Sequence, residues 1–290
     1  MANGVVERLI ELLQLEPIGH LRYRGLSQNL GYPKVFGGQV IGQALSAAIQ
    51  TLDSRMPHSL HSYFLRPGDT NHPIEYEVEI IRDGRSFSVR RVIANQFGKP
   101  ILAMTASFQS PEPGLEHHDS MPNVPGPELL ESEVKLYRDH AEEIPGRVRD
   151  LFTAERPIEY RIVEAQNPFR PRHGIAKRHM WIRSNGNLPD DPLVHQSMLA
   201  YTTDYGFLET ALMPHGISLM KPGLTIASLD HAIWFHRPFR LDDWLLYVAD
   251  SPSAGGARGY VRGQIFDREG KLVASTAQEG LIRYSGDNND

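Results

Sequence analysis

Three polar residues in the second half of the sequence could together do acid–base chemistry: Asp204, Ser228 and Gln278. Asp204 is the one carboxylate between Leu193 and Leu208, in a stretch otherwise rich in Met, Leu, Ala, Tyr and Phe. A carboxylate among apolar neighbours is hydrogen-bonded or neutral, because an unpaired buried charge is unfavourable. We therefore predict that Asp204 is a general base, or a group that orients water, in a poorly solvated pocket. The alternative is an Asp on the one solvent-exposed face of a helix.

Gln278 lies at the end of an apolar face in a predicted strand over residues 271–283. Because side chains alternate along a strand, it shares that face with Ala274 and Thr276. A glutamine donates and accepts hydrogen bonds but cannot take a proton, so its role in a site would be to orient another group. A surface residue at a frayed strand end is the alternative. Ser228 by itself would be interpreted as an ordinary strand-edge serine. It is a candidate because Asp204 and Gln278 are candidates for the same site.

The chain repeats itself at an offset of 171 residues, the separation of Arg66 and Arg237. Both arginines follow an aromatic and precede a proline, in Phe-Leu-Arg-Pro and Phe-His-Arg-Pro. Further matches follow in order along the chain, which indicates two copies of one fold. They are Tyr76 with Tyr247, Gly84 with Gly255, Arg91 with Arg262 and, after a one-residue shift at a turn, Ala103-Met-Thr-Ala106 with Ala274-Ser-Thr-Ala277.

The sequence of each copy predicts a buried helix followed by four strands. Residues 36–52 contain no ionisable side chain and are rich in alanine, which indicates a helix buried on nearly all sides. In the second copy, Asp191 and Pro192 form a good helix start, and we predict a helix from there through Leu208. The predicted strands are 58–65, 74–82, 86–95 and 100–109 in the first copy, and 225–236, 244–251, 257–267 and 271–284 in the second.

A helix wrapped by an antiparallel sheet, made twice, is an α+β tandem (double) hot-dog fold. We predict an N-terminal hot-dog domain over residues 1–112 and a C-terminal one over 157–290. Five prolines between residues 111 and 127 prevent regular structure there, so 113–156 is predicted to be a Pro-rich inter-domain connection with one or two surface helices.

Composition excludes several classes of protein. The formal net charge of −5 gives no support for nucleic-acid binding, and the absence of cysteine excludes disulfides, thiolate catalysis and Cys-ligated zinc. No apolar run approaches the roughly 20 residues that cross a bilayer. The N-terminus lacks the features of a signal peptide. We therefore expect a soluble, cytoplasmic protein that needs no cofactor and no metal.

Several stretches resemble acyl-CoA thioesterase II, the double hot-dog thioesterases of bacteria and peroxisomes. They are VFGGQVIGQA at 35–44, HSYFLRPGD at 61–69, DHAIWFHRPF at 230–239, ARGYVRG at 257–263 and LVASTAQEG at 272–280. The resemblance runs in order from about residue 5 to about 284. It implies hydrolysis of fatty acyl-CoA, a role in lipid metabolism, and a catalytic set of Asp, Ser or Thr, and Gln, which falls on Asp204, Ser228 and Gln278. The targeting tripeptide of the peroxisomal members is missing here.

These three residue types favour direct attack by a water that Asp204, Ser228 and Gln278 hold, because the carboxylate can accept a proton from the water and the other two can hold it by hydrogen bonds. A rival mechanism makes Ser228 a nucleophile, with Asp230 and His231 completing a triad. We prefer direct attack because strand alternation would put His231 on the opposite face from Ser228, and the chain has no G-x-S-x-G elbow. The other open functions are a non-catalytic acyl-CoA binding or sensing module and, weakly, a hot-dog hydratase, whose Asp-x-x-x-x-His pattern fails here at Glu209.

Three further groups are candidates for roles around the substrate. Gly37 and Gly38 could offer backbone N–H groups to an oxyanion at a helix start. His58 is a second candidate that we leave outside the catalytic set. Basic side chains in residues 170–178 could meet the CoA phosphates. The expected partner is a small-molecule acyl-CoA, with no nucleic acid and no membrane span, and the family suggests a homo-oligomer, a dimer or a tetramer.

Overall fold

Two buried helices and a long antiparallel sheet dominate the computed structural model, which describes residues 3–31, 34–165, 167 and 169–285. The α-helices in these residues are α1 (Asn3–Leu13), α2 (Gly37–Ile49), α3 (Glu133–Asp139), α4 (Gly146–Thr153) and α5 (Pro192–Thr202). The strands of the first copy are β1 (Glu16–Gly19), β2 (Arg22–Gly25), β3 (Met56–Phe64), β4 (Ile74–Asp83), β5 (Phe87–Gln96) and β6 (Lys99–Gln109). Those of the second are β7 (Ile158–Ile162), β8 (Lys177–Ser184), β9 (Leu224–Ser228), β10 (Asp230–Phe235), β11 (Leu245–Gly255), β12 (Arg258–Phe266) and β13 (Leu272–Tyr284).

The sheet has a mirrored strand order about its centre. It runs β1-β2-β4-β5-β6-β3-β10-β13-β12-β11-β8-β7, with β9 paired to β13 beside this path. The two copies meet where β3 pairs antiparallel with β10, for example Leu60 opposite Ile233. The strands that the sequence repeat matched, β4 with β11, β5 with β12 and β6 with β13, occupy equivalent places. The prediction of a tandem hot-dog fold is therefore confirmed.

Helices α2 and α5 pack against each other in opposite directions, so that the start of α2 meets the end of α5. The contact is close because it uses glycines: a Cβ added to Gly38 would lie 2.2 Å from the carbonyl oxygen of Tyr201. One turn later, a Cβ on Gly42 would lie 3.1 Å from the carbonyl oxygen of Ser197. With the sheet on its other side, α2 is shielded from water almost throughout, which is why its sequence carries no charge.

The strand predicted over residues 225–236 is wrong in one respect, because it is interrupted at Leu229. Ser228 pairs with Gly280, whereas Ala232 pairs with Ala277. Four steps along β9–β10 thus face three steps along β13, which is a β-bulge with one extra residue. At the bulge, the carboxylate of Asp230 accepts a hydrogen bond from the backbone N–H of Glu279 at 2.7 Å, where a regular ladder would use a carbonyl.

The segment between the copies packs against the second one. It carries α3, α4 and short 3-10 turns, and the Glu133 side chain at the start of α3 is buried. The helices predicted in this segment are present. They are not wholly on the surface, because the side chains of Glu133 and Tyr137 are buried. The division into domains 1–112 and 157–290 stays a prediction. None of the helices in the described residues has the length and hydrophobicity of a membrane span.

The glycine contact between α2 and α5 gives a prediction about stability. Gly38→Ala should lower the free energy of unfolding by about 2 kcal/mol, because the new methyl group collides with backbone rather than with a side chain that can rotate away. The midpoint of urea unfolding measures this. Gly146→Ala is the matched control, since a Cβ there meets nothing within 4 Å. Equal midpoints for Gly38→Ala and the wild type would contradict the close packing.

Candidate functional site

Asp204 lies in a turn just beyond the end of α5, not on the helix as the sequence predicted. The helix ends at Thr202 with Thr203 as its C-cap, and the chain then turns. Gly206 takes a left-handed conformation at φ +63°, and a 3-10 turn, Phe207–Ala211, follows. The guanidinium of Arg178 donates a hydrogen bond to the carbonyl oxygen of Gly206 at 3.0 Å. The prediction of one helix through Leu208 is therefore wrong, because a left-handed residue cannot continue the helix.

The turn that carries Asp204 is held from outside by the segment between the copies. Glu133 accepts hydrogen bonds from the Tyr205 hydroxyl at 2.7 Å and from Arg156 at 2.8 Å. Arg156 also contacts the Tyr205 hydroxyl, and its guanidinium lies over the Tyr205 ring. Because Tyr205 follows Asp204 directly, these contacts fix the backbone on which the carboxylate is placed.

The three residues predicted from the sequence come together. Ser228, the last residue of β9, donates a hydrogen bond from Oγ to Asp204 Oδ1 at 3.0 Å. The amide nitrogen of Gln278, on β13, lies 3.0 Å from the same carboxylate oxygen and 2.6 Å from Ser228 Oγ. Gln278 is buried, while Asp204 and Ser228 are half-buried, so the cluster lies at the wall of the core and not at a frayed strand end.

Asp204 also touches the first copy. A Cβ added to Gly37, the first residue of α2, would lie 2.6 Å from Asp204 Oδ2 and 2.9 Å from the ring of Phe64. Only a glycine therefore allows the carboxylate to approach this helix start. The first N–H groups of a helix lack partners within it and carry partial positive charge, which stabilises a nearby anion. The site thus combines a carboxylate from the second copy with a helix N-terminus from the first.

His231 is a member of the site that the sequence analysis set aside. Its Nδ1 lies 2.7 Å from Gln278 Oε1, and its Nε2 lies 3.0 Å from the hydroxyl of Thr203. The alternation argument placed His231 on the face opposite Ser228, and it was wrong because the bulge adds one residue between them and reverses the alternation. No sequence signal located the bulge, since neither glycine nor proline marks it.

Burial lowers the pKa of His231, and the nearby carboxylate of Asp204 opposes this shift only in part. The imidazole is therefore neutral at pH 7. Among the described contacts, Asp230 turns its carboxylate to the backbone of Glu279 and Ser228 bonds to Asp204 and Gln278. The Ser–His–Asp triad weighed from the sequence is thus not formed by these three side chains.

Other predicted groups are engaged elsewhere. His58 Nε2 lies 2.8 Å from Ser107 Oγ, in the first copy. Arg170 pairs with Glu143 at 3.2 Å, and Arg178 is buried against Glu209 at 3.0 Å. Arg178 therefore does not offer its charge to a phosphate at the surface.

Two hot-dog units in one chain place this protein in the class of double hot-dog proteins. Its polar cluster lies where the two units meet. A family model described as acyl-CoA thioesterase matches residues 147–281, and one described as acyl-CoA thioesterase N-terminal domain matches residues 27–109. Acyl-CoA thioesterase 2 of Haemophilus influenzae is 46% identical over 284 residues, 98% of this chain and 99% of the relative. Human acyl-coenzyme A thioesterase 8 is 41% identical, over 94% of this chain and 88% of the relative.

The solved structures agree with this result. The acyl-CoA thioesterase II TesB2 of Mycobacterium marinum superposes with a TM-score of 0.78 at 41% identity, over 96% of this chain and 99% of that one. A hot-dog protein of Alicyclobacillus acidocaldarius, 19% identical over 95% of this chain and 98% of that one, shares the fold with a TM-score of 0.75. The chain belongs to the acyl-CoA thioesterase family, a family of thioester hydrolases, which confirms the resemblance seen in the sequence.

The buried histidines give a prediction about pH. Burial lowers the pKa of both His231 and His195 below the value of about 6.5 that they have in the unfolded chain. As the pH falls through about 6.5, the unfolded chain takes up protons first, so the free energy of unfolding should decrease between pH 7.5 and 5.5.

Urea unfolding at several pH values measures this decrease. His231→Asn, which removes one titrating group, should make the dependence on pH shallower. Replacement of the exposed His20 by Asn is the control and should leave the dependence as it is in the wild type. A wild-type stability that rises as the pH falls from 7.5 to 5.5 would contradict the assignment.

Proposed function

We propose that this protein hydrolyses fatty acyl-CoA to a free fatty acid and CoA, by direct attack of a water that Asp204, Ser228 and Gln278 hold. The observation that carries the proposal is the convergence of a carboxylate, a hydroxyl and an amide within 2.6–3.0 Å of one another, beside a helix start. Family membership supports the substrate class, since the relatives named above are acyl-CoA thioesterases. A protein that only binds or senses acyl-CoA has no need of a base at this place.

The chemistry needs a placed water and a site for the oxyanion. The hydrogen bonds from Ser228 and Gln278 go to Asp204 Oδ1, whereas Oδ2 faces Gly37. We place the water at Oδ2, where the carboxylate takes its proton as the oxygen attacks the thioester carbon. Ser228 and Gln278 hold this water through Asp204, because their bonds to Oδ1 fix the direction in which Oδ2 points. A new C–O bond forms while the carbonyl oxygen becomes an oxyanion. The N–H groups of Gly37 and Gly38 are the proposed oxyanion donors, because they are at the start of α2.

Collapse of the tetrahedral intermediate breaks the C–S bond and releases CoA as a thiolate. A thiol has a pKa of about 8.5, so the sulfur leaves readily, and the proton held on Asp204 passes to it or to solvent. Gln278 cannot exchange a proton under these conditions, and Ser228 is already a donor to the carboxylate. Their proposed role is to keep Asp204 and the water in place.

Asp204→Asn is the decisive change for the proposed base. It removes the proton acceptor but keeps the shape, so kcat should fall by about 10²- to 10⁴-fold while KM stays within about threefold. Thiol release from acyl-CoA substrates of several chain lengths, followed by thiol titration, measures both constants. Replacement of the exposed Asp243 by Asn is the matched control. Equal turnover by Asp204→Asn and the wild type would remove Asp204 from the mechanism.

Direct attack and an acyl-enzyme differ in whether Ser228 is ever acylated. Under direct attack, rapid quenching during turnover followed by peptide mass spectrometry should find no acyl group on Ser228. Ser228→Ala should then keep part of the activity, because an orienting group is lost and not a nucleophile. A trapped acyl ester on Ser228 would favour the rival mechanism.

A further inference from the structure

The side chain of Gln278 has two ends that differ only by an oxygen and a nitrogen, so its shape alone does not decide which end faces Asp204. A carboxylate accepts hydrogen bonds and donates none, so the amide nitrogen must face it. With the amide turned over, Gln278 Oε1 would meet Asp204 Oδ1 as one acceptor against another. In the proposed reaction Asp204 takes up a proton, and its bond to the amide then loses the assistance of the negative charge. A second partner on the other side of the amide is therefore needed to keep the productive orientation.

The group in that position is His231, which lies on the far side of the amide from Asp204. We propose that His231, held in turn by Thr203, is a positioning residue that fixes the orientation of the Gln278 amide, and the inference rests on the proposed function. His231 Nδ1 donates its hydrogen to Gln278 Oε1 at 2.7 Å. That bond leaves the amide nitrogen to donate to Asp204 and Ser228.

Thr203 fixes the tautomer of the histidine. A neutral imidazole has one N–H and one bare nitrogen, so a donor at Nδ1 makes Nε2 an acceptor. The Thr203 hydroxyl has one hydrogen and two acceptors within reach, His231 Nε2 at 3.0 Å and the carbonyl oxygen of Ala200 at 3.4 Å. In the proposed arrangement it donates to the nearer one, Nε2. Three hydrogen bonds lead from Thr203 to His231, from His231 to Gln278 and from Gln278 to Asp204. Because Thr203 precedes Asp204 in the chain, the peptide bond between them closes these bonds into a ring.

The surroundings keep the imidazole in this place. His231 is 1% exposed, and its ring is steeply inclined to that of Phe207, at 75°, with the ring centres 6.1 Å apart. Its backbone carbonyl accepts a hydrogen bond from Ser62 Oγ at 2.9 Å. The charged groups that face it are Asp204, from the turn after α5, and Asp230, on its own strand. Neither carboxylate takes the hydrogen of Nδ1, which Gln278 accepts.

The tautomer is tested directly in the wild-type protein, and a variant of His231 serves only to assign its signals. The ¹⁵N chemical shifts of ¹⁵N-histidine-labelled protein at pH 7.5 distinguish a ring nitrogen that carries hydrogen from a bare one. The His231 signals, assigned by their loss in His231→Asn, should report hydrogen on Nδ1 and none on Nε2. Hydrogen on Nε2 would overturn the inference, because Gln278 Oε1 would then lack its donor.

Kinetics test the consequence for turnover. His231→Leu removes the donor at similar size, so kcat should fall by about 10²-fold with KM within about threefold. His231→Asn should recover most of the loss, because its amide nitrogen lies where Nδ1 lies and can donate to Gln278. The exposed His236 lies just after β10, and His236→Leu is the matched control that should keep wild-type kcat. Urea midpoints verify that each variant is folded.

The outcomes separate this inference from the proposed function. If Asp204→Asn abolishes turnover and His231→Leu keeps it, the thioesterase mechanism stands and the role of His231 is rejected. If His231→Leu and His231→Asn are equally impaired, His231 acts through its shape and the inference fails. If the wild type releases no thiol from any acyl-CoA, the proposed function fails, and the tautomer alone then decides whether His231 orients Gln278.

Discussion

The carboxylate of Asp204 can only accept hydrogen bonds, and this one-sided property orders every polar group around it. Ser228 must donate to it, and Gln278 must present its nitrogen. The oxygen of Gln278 is thereby turned towards His231, which fixes the place of the imidazole hydrogen. A chain of directed bonds in a buried setting is stronger than the same bonds in water, but a single group with the wrong polarity would leave a buried polar atom unpaired. The site is therefore a set of interdependent residues.

The fold supplies these groups from elements that are far apart in sequence. The carboxylate follows α5, the hydroxyl ends β9, and the amide is in the middle of β13, while α2 of the first copy presents Gly37 to the other carboxylate oxygen. The glycines of α2 have two effects: Gly38 and Gly42 bring the two helices together, and Gly37 admits the carboxylate to the start of α2. The packing of the helices and the chemistry of the site therefore both depend on glycines in α2, which have no side chain.

The repeat, the buried helices and the strands were predictable because each depends on periodicity or on a local signal such as Asp191 before Pro192. Asp204, Ser228 and Gln278 could be named because a polar residue in an apolar stretch stands out. His231 was missed because its face depends on a bulge, which is a tertiary feature. The first copy has an irregularity at the same place, between Pro57 and Ser59 in the pairing of β3 with β6. The bulge therefore belongs to the repeat, although the sequence of one copy does not disclose it.

The sheet path ends at β1 and β7, which are four and five residues long. Pro17 in β1 has no backbone N–H to offer, and both strands are short, so the two borders present few free donors and acceptors to another molecule. Long unpaired edge strands on a sheet of this breadth would otherwise favour edge-to-edge association of molecules. Growth by strand addition is thus disfavoured at both margins, which leaves the faces of the sheet and the helices as surfaces for association.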